Sequence, residues 1–177
     1  KGTLGVGLPM LAVPIIAFVL PPTKAMILLC FPILCANLLQ MKINKGIGSY
    51  RFFPMLLMLI LGLIIGGRLI LEVDLNTISI IIALSIIAAG LVNLFEIKFQ
   101  KINSTYETPF TMILGFFSGI LGGFSTLFGP PILAYLISAN LEKEFFIRTI
   151  STIYFTGGIA LYGSLLYNGL GTLDDLY

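Results

Sequence analysis

The side chains that could carry chemistry are few in this sequence. It contains no histidine, which removes the commonest general base and metal ligand. Cys30 and Cys35 lie inside an apolar run at a spacing that matches no metal-ligand pattern, so both are expected to behave as small hydrophobic side chains. The sequence therefore predicts no enzyme active site, no metal site and no cofactor.

The acidic residues share one property, since all eight fall at or beyond the ends of apolar stretches: Glu72, Asp74, Glu96, Glu107, Glu142, Glu144, Asp174 and Asp175. Transporters of protons and cations usually keep a carboxylate within a membrane span, where a charge is costly and is retained for a function. This placement makes the transport of a cation a less favoured interpretation.

Three basic residues lie within apolar stretches or directly at their start. Arg68 lies inside the end of the third stretch, and Lys24 and Arg148 lie in the expected first turns of the second and sixth. They either extend to the membrane interface, as long basic side chains do, or lend positive potential to the path of a solute.

Glycine and proline recur at the same spacing in two distant segments, 2–17 and 119–134. The alignment pairs Gly2 with Gly119, Gly5 with Gly122, Pro14 with Pro131 and Ala17 with Ala134. Transporters are often built from such repeats, with the interrupted segments forming the solute site between them. We therefore expect a first repeat over 1–100 and an incomplete second repeat over 109–177.

Adjacent prolines, as in Gly129-Pro130-Pro131, remove backbone donors and are expected to unwind a helix locally. The helix that follows would present unpaired N–H groups and the positive end of its dipole, which together bind anions. The predicted solute-binding residues are Gly5, Gly7, Pro14, Lys24, Gly122, Gly123, Ser125, Gly129, Pro131 and Arg148.

A second interpretation of the glycines is helix packing. Gly115, Gly119 and Gly123 recur every fourth residue, as do Gly62 and Gly66. Small residues at this spacing form a stripe along which two membrane helices approach closely. Packing is the favoured interpretation for Gly62, Gly66 and Gly115.

These residues must be positioned by transmembrane helices. The composition is 58% hydrophobic and 10% charged, against about 25% charged residues in a soluble domain. A membrane span must satisfy its backbone hydrogen bonds internally, which helices and closed barrels do, and the alternating pattern of a membrane barrel is absent from this sequence. The predicted fold class is therefore all-α: a polytopic transmembrane bundle with an internal repeat and Gly/Pro-broken helices. The apolar stretches cover about 3–20, 25–41, 52–71, 76–95, 109–139 and 146–167.

The fifth of these stretches is too long for one ordinary span of about 20 residues and contains Gly129-Pro130-Pro131, so we expect a broken helix there. Asp74 or Asn76 is expected to cap the fourth helix.

Loop charges predict the orientation. The basic residues Lys42, Lys45, Arg51, Lys98 and Lys101 lie in connections separated by two spans and are expected on one side of the membrane, with Glu72 and Asp74 on the other. The net charge of +2 offers no basic field for nucleic acid. The expected location is the cell (inner or plasma) membrane as a multi-pass protein. Because the chain opens directly on an apolar run without Met, we expect a piece of a longer protein.

At the segments Gly2–Pro14 and Gly115–Pro131, and at Arg148-Thr149, the sequence resembles the sulfite exporter TauE/SafE family of membrane permeases. The resemblance implies two repeats of about four spans, a small anionic solute and the lipid bilayer as partners, and export of a sulfur-containing or organic oxoanion by alternating access. Phe124 and Thr126 depart from the more glycine-rich run usual there. The alternatives are a non-transporting membrane assembly or receptor subunit and, less favoured, a membrane-embedded enzyme.

Overall fold

The computed structural model describes residues 12, 15–16, 18–41, 50–94 and 104–169, and these are helices and short connections without a strand. The α-helices are α1 Pro22–Leu28, α2 Cys30–Met41, α3 Phe53–Leu69, α4 Leu75–Leu94, α5 Ser104–Ser125, α6 Gly129–Ser138 and α7 Lys143–Tyr167. The expected all-α class is confirmed.

Four helical segments within the described ranges are long and apolar enough to cross a membrane: Lys24–Met41, Tyr50–Glu72, Tyr106–Ser125 and Lys143–Tyr167. They agree with the expected second, third and sixth stretches to within a few residues, and α4 matches the fourth. The fifth stretch, expected over about 109–139, is covered by Tyr106–Ser125 and the separate helix α6. Most of the first stretch lies outside the described residues. Asp74 caps the start of α4, as expected: its carboxylate accepts hydrogen bonds from the N–H and the hydroxyl of Thr77 at 3.1 and 2.7 Å.

Glycines hold α3 and α5 together with their backbones in contact. A Cβ atom added to Gly66 would lie 2.5 Å from the carbonyl oxygen of Ile120, and one added to Gly123 would lie 2.5 Å from the carbonyl carbon of Gly66. The packing interpretation of the glycine stripes is therefore confirmed. Residue numbers rise together on both helices, so α3 and α5 run parallel; the contacts pair Met55 with Gly115, Leu59 with Gly119 and Gly66 with Gly123.

Helix α7 runs parallel to α3 and antiparallel to α2. The Asn168 amide donates to the carbonyl oxygen of Gly67 at 3.4 Å, near the ends of both α7 and α3. Against α2, the Ser151 hydroxyl lies 3.5 Å from the side-chain oxygen of Gln40, and a Cβ atom added to Gly158 would lie 2.9 Å from the Leu34 side chain, so residue numbers rise on α7 as they fall on α2. Helices α3, α5 and α7 thus begin at one end of the bundle, called the start side here, and the turn 70–74 lies at the other, called the far side.

The long fifth stretch is broken, as expected, but at a different place. Helix α5 ends at Ser125, the segment 126–128 is not helical, and α6 begins at Gly129. The expectation that Gly129-Pro130-Pro131 unwinds is wrong. Both prolines are helical in the first turn of α6, where the fixed φ of proline suits the helix and its missing N–H removes no intrahelical bond.

The expected position of Arg148 in the first turn of its helix is also wrong. Helix α7 begins at Lys143, so Arg148 is its sixth residue and belongs to the second turn. The helix extends back through the polar residues Lys143 and Glu144, because an apolar stretch marks the lipid-facing part of a helix and not its first residue. The dipole at the helix start therefore opposes the Arg148 charge less than expected.

Candidate functional site

The candidate site lies where the break after α5 meets α7, within the bundle. The ring of Phe128 stands edge-on to the ring of Tyr154 with centroids 5.5 Å apart. A Cβ atom added to Gly157 would lie 3.2 Å from the Phe128 ring and 3.4 Å from Leu59, which is near the middle of α3. The start of α6 is thus at about mid-depth of the bundle, from where this half-helix returns toward the start side.

The break is shaped by a left-handed residue. Thr126 has φ of 60°, a conformation that is uncommon for a β-branched side chain. Its N–H donates to the carbonyl oxygen of Gly122 at 2.7 Å, which is the hydrogen bond of a left-handed helix cap. This cap is usually made by glycine, and it ends α5 here with a threonine instead.

Ser125, one of the predicted site residues, belongs to the same cap. Its hydroxyl donates to the carbonyl oxygen of Leu121 at 2.7 Å and accepts from the N–H of Leu127 at 3.2 Å. Both polar functions of the hydroxyl are occupied by the chain itself. Ser125 therefore positions the break.

The amide donors at the start of α6 are fewer than a helix start usually offers. The N–H groups without an intrahelical partner are those of the cap and the first three residues, and Pro130 and Pro131 have none, which leaves those of Phe128 and Gly129. The predicted anion site at Gly129 and Pro131 would therefore depend on side chains more than on the backbone.

The side chain that meets the start of α6 is Tyr154. A Cβ atom added to Gly129 would overlap the Tyr154 hydroxyl, so the phenol is packed directly on the glycine backbone. The hydroxyl oxygen is buried and has no hydrogen-bond partner in the described part of the chain. The hydroxyls of Ser118 and Thr149, both on residues only 2% exposed, are buried in the same way.

The predicted glycines of α5 are accounted for by packing. A Cβ atom added to Gly122 would lie 2.6 Å from Cβ of Phe128, and Gly123 faces the backbone of α3. Gly122 thus lets the break fold back onto α5. The predicted residues Gly5, Gly7 and Pro14 lie outside the described residues.

The two predicted cations are not brought together. The Arg148 guanidinium lies 5.8 Å from the centroid of the Phe145 ring, on the start side. Lys24 is exposed. It precedes Gln40 by 16 residues on the segment formed by α1 and α2, which corresponds to about 24 Å at 1.5 Å per residue. Because Gln40 meets Ser151 near the start side and this segment runs antiparallel to α7, Lys24 lies toward the far side. The two charges lie toward opposite ends of the bundle.

An ionic cluster at the start side was not predicted from the sequence. The Glu107 carboxylate accepts hydrogen bonds from Arg51 Nε at 2.8 Å, from Arg51 Nη2 and from the Tyr135 hydroxyl at 2.5 Å. The ring of Tyr135 also packs edge-on against Phe52. The cluster joins the start of α3, the start of α5 and the half-helix α6.

Glu107 stands apart from the other acidic residues. Its side chain is 15% exposed, whereas the other acidic residues of the described part, Glu72, Asp74, Glu142 and Glu144, are exposed. The available sequence signal was the position of Glu107 just before the long apolar stretch that begins at about 109. Its partners could not be read from the sequence, because they lie 56 and 28 residues away.

Comparison with known proteins identifies the chain at the level of its family. The family model described as sulfite exporter TauE/SafE matches residues 1–176. The chain belongs to the TauE/SafE family. It is a multi-pass membrane transporter, and the family consists of permeases and not of enzymes. No curated protein and no solved structure matches it.

Proposed function

We propose that this TauE/SafE member exports a small sulfur-containing or organic oxoanion, such as sulfite or a sulfonate, by alternating access. The family supports transport, and its description names sulfite. The anionic solute is favoured because Glu107, which among the acidic residues of the described ranges is the one that is not exposed, is already held by Arg51 and Tyr135.

The observation that carries this proposal is the break at mid-depth. Backbone that leaves the helix at membrane depth must line a cavity or be buried in protein, since lipid offers no hydrogen bonds. The segment 126–128 is buried, and α6 begins beside it. Half-helices that begin near the midplane form the solute sites of many transporters.

The proposed repeats 1–100 and 109–177 supply the two sides of such a site. When the alignment of segment 2–17 with 119–134 is extended along the chain at the same offset, helix α2 corresponds to the middle of α7. These helices pack antiparallel, as corresponding helices of an inverted repeat would. The α3–α5 contact, however, joins the two repeats tightly, so we assign the motion to α6 and its contacts with α7.

The test is solute flux in vesicles that contain the purified protein. We expect saturable flux of sulfite or an alkanesulfonate above that of protein-free vesicles, with little flux of neutral analogues such as a sulfone. A variant with Gly163→Ala, where a Cβ atom would meet nothing within 4 Å, is a matched control and keeps the flux. Folded protein that moves none of these solutes would instead support the non-transporting assembly or receptor subunit.

A further inference from the structure

The most informative unexplained group in the bundle is the hydroxyl of Tyr154. A buried hydroxyl without a hydrogen bond loses its hydration and gains nothing in exchange, which costs about 1–3 kcal/mol. Tyr154 is on α7, and phenylalanine would fill the same space without this cost. The packing and hydrogen bonds of the described residues thus give no reason for the hydroxyl.

The position of the hydroxyl shows what it can reach. It lies against Gly129, the first residue of α6, where any larger side chain would overlap it. The N–H groups of helix starts and the dipole behind them favour anions, but α6 lacks two of these donors because of Pro130 and Pro131. A phenol at this place adds a hydrogen-bond donor where the backbone supplies few.

The charges of the described residues lie away from this point. Arg148 is six residues before Tyr154 on α7, a rise of about 9 Å. Arg51 is held at the start side by Glu107, and Lys24, Arg68 and Lys143 are exposed. The hydrogen-bonding groups that the described residues place at mid-depth, at the level of Gly129, are therefore neutral.

We propose that the Tyr154 hydroxyl donates a hydrogen bond to the transported solute at the start of α6, and that the site selects singly charged oxoanions over doubly charged ones. This inference rests on the proposed function. The cost of removing an ion from water rises with the square of its charge, and neutral donors offset this cost for one charge more readily than for two. A sulfonate or hydrogensulfite fits this description better than sulfate or the sulfite dianion.

The test compares Tyr154→Phe with Tyr162→Phe, which removes a hydroxyl from a buried tyrosine two turns later on the same helix. We measure the concentration dependence of alkanesulfonate flux into vesicles for both variants and the wild type. A hydrogen bond to a charged group predicts a rise in KM of about tenfold or more for Tyr154→Phe, and little change for Tyr162→Phe.

A second measurement separates binding from structure. Thermal unfolding of Tyr154→Phe without solute should occur at or above the wild-type temperature, because the hydroxyl that is lost has no partner among the described residues, while the stabilisation by added alkanesulfonate should shrink. A purely structural role predicts the reverse, with a lower unfolding temperature and an unchanged KM. Either an unchanged KM or an equal change in Tyr162→Phe would overturn the role of Tyr154.

Charge selectivity is tested on the wild type with an alkanesulfonate, sulfate, and sulfite at two pH values. We expect faster flux of the sulfonate than of sulfate, and faster flux of sulfite at the lower pH, where hydrogensulfite predominates. Faster flux of sulfate would contradict the proposed selectivity while leaving anion transport intact. Absence of flux for every oxoanion would contradict the proposed function itself, and this inference with it.

Discussion

Two glycine-rich regions of this transporter differ in what faces the glycines. Between α3 and α5, Gly66 and Gly123 lie against the backbone of the opposite helix. At the break, Gly129 lies against the hydroxyl of Tyr154, and Gly122 against the side chain of Phe128. A backbone has no rotamers and cannot move aside, whereas a side chain can, so the first region is suited to stay closed and the second to open.

The same difference between the two regions favours α6 as the part that moves in the proposed transport mechanism. The α3–α5 contact joins one proposed repeat to the other and leaves no room for a methyl group at Gly66. Helix α6 instead follows a break and is joined to α3 and α5 at the start side by the Glu107 cluster. A fixed α3–α5 pair with a movable α6 satisfies both observations.

The largest expected effect comes from breaking the fixed region. Gly66→Leu places a side chain where a Cβ atom alone would lie 2.5 Å from the Ile120 carbonyl oxygen. Because the helices must separate along their whole contact, we expect a loss above the usual ~1–3 kcal/mol of overpacking, and therefore little folded protein. Size-exclusion profiles and thermal unfolding in detergent measure it.

The matched control for this substitution is Gly163→Leu on α7, where a Cβ atom would meet nothing within 4 Å. It should give a profile like that of the wild type. If Gly66→Leu were tolerated equally well, the α3–α5 contact would not be the fixed part of the molecule.

The next effect concerns the attachment of α6. Glu107→Ala removes the acceptor that Arg51 and Tyr135 share. Arg51 is half exposed, so solvent screening limits the loss, and we expect about 1–2 kcal/mol of stability to disappear. The amides of α6 should exchange with deuterium faster, while those of α3 change little.

Glu142→Ala is the control for this change, because Glu142 is exposed, lies on the same side and makes no side-chain cap to α7. It should leave exchange in α6 unaltered. Unchanged exchange of α6 in Glu107→Ala would mean that the cluster does not restrain the half-helix.

A smaller effect is expected at Arg148, which we propose attracts the anion from the start side. Arg148→Gln should lower alkanesulfonate flux about three- to tenfold at low salt, with less difference at high salt because ions screen the attraction. Arg148→Lys should keep most of the flux. Since Lys24 lies toward the far side, Lys24→Gln should change uptake less when the start side faces the added solute.

The competing interpretation is that the Arg148 side chain only extends to the interface. It predicts equal flux for Arg148→Gln and the wild type at every salt concentration. That result would leave the mid-depth hydroxyls as the groups that act on the solute.

The sequence predicted the features that depend on local pattern. The lengths of the apolar stretches set the helices, the four-residue glycine spacing predicted close helix packing on both α3 and α5, and the length of the fifth stretch required a break. That the two stripes pack against each other was not predicted. The place of the break was not predictable from Gly129-Pro130-Pro131, because proline is compatible with both an unwound segment and a first helical turn.

The site residues depend on tertiary structure and were predicted less well. Tyr154 appears in the sequence as one aromatic residue of an apolar helix, and its hydroxyl becomes notable only because α6 begins beside it. The same holds for Glu107, whose partners come from two other elements. Lys24 and Arg148 were predicted as site residues because each was expected near a helix start. That expectation is local and gives no information on the distance between the two residues.

The smallest expected effect concerns the strain at the break. Thr126 has φ of 60°, which costs an L-residue with a Cβ atom about 1–2 kcal/mol relative to glycine. Thr126→Gly relieves this strain but loses the hydroxyl bond to the Ser125 carbonyl oxygen and adds freedom to the unfolded chain, so we expect a net gain of at most about 1 kcal/mol in the free energy of unfolding. Asn140→Gly is the control, because asparagine tolerates its φ of 50° and should gain less. If the strain also favours opening of α6, Thr126→Gly should be more stable than the wild type and yet transport more slowly. A stabilised variant with wild-type flux would mean that the left-handed residue only ends α5 and has no part in the opening of α6.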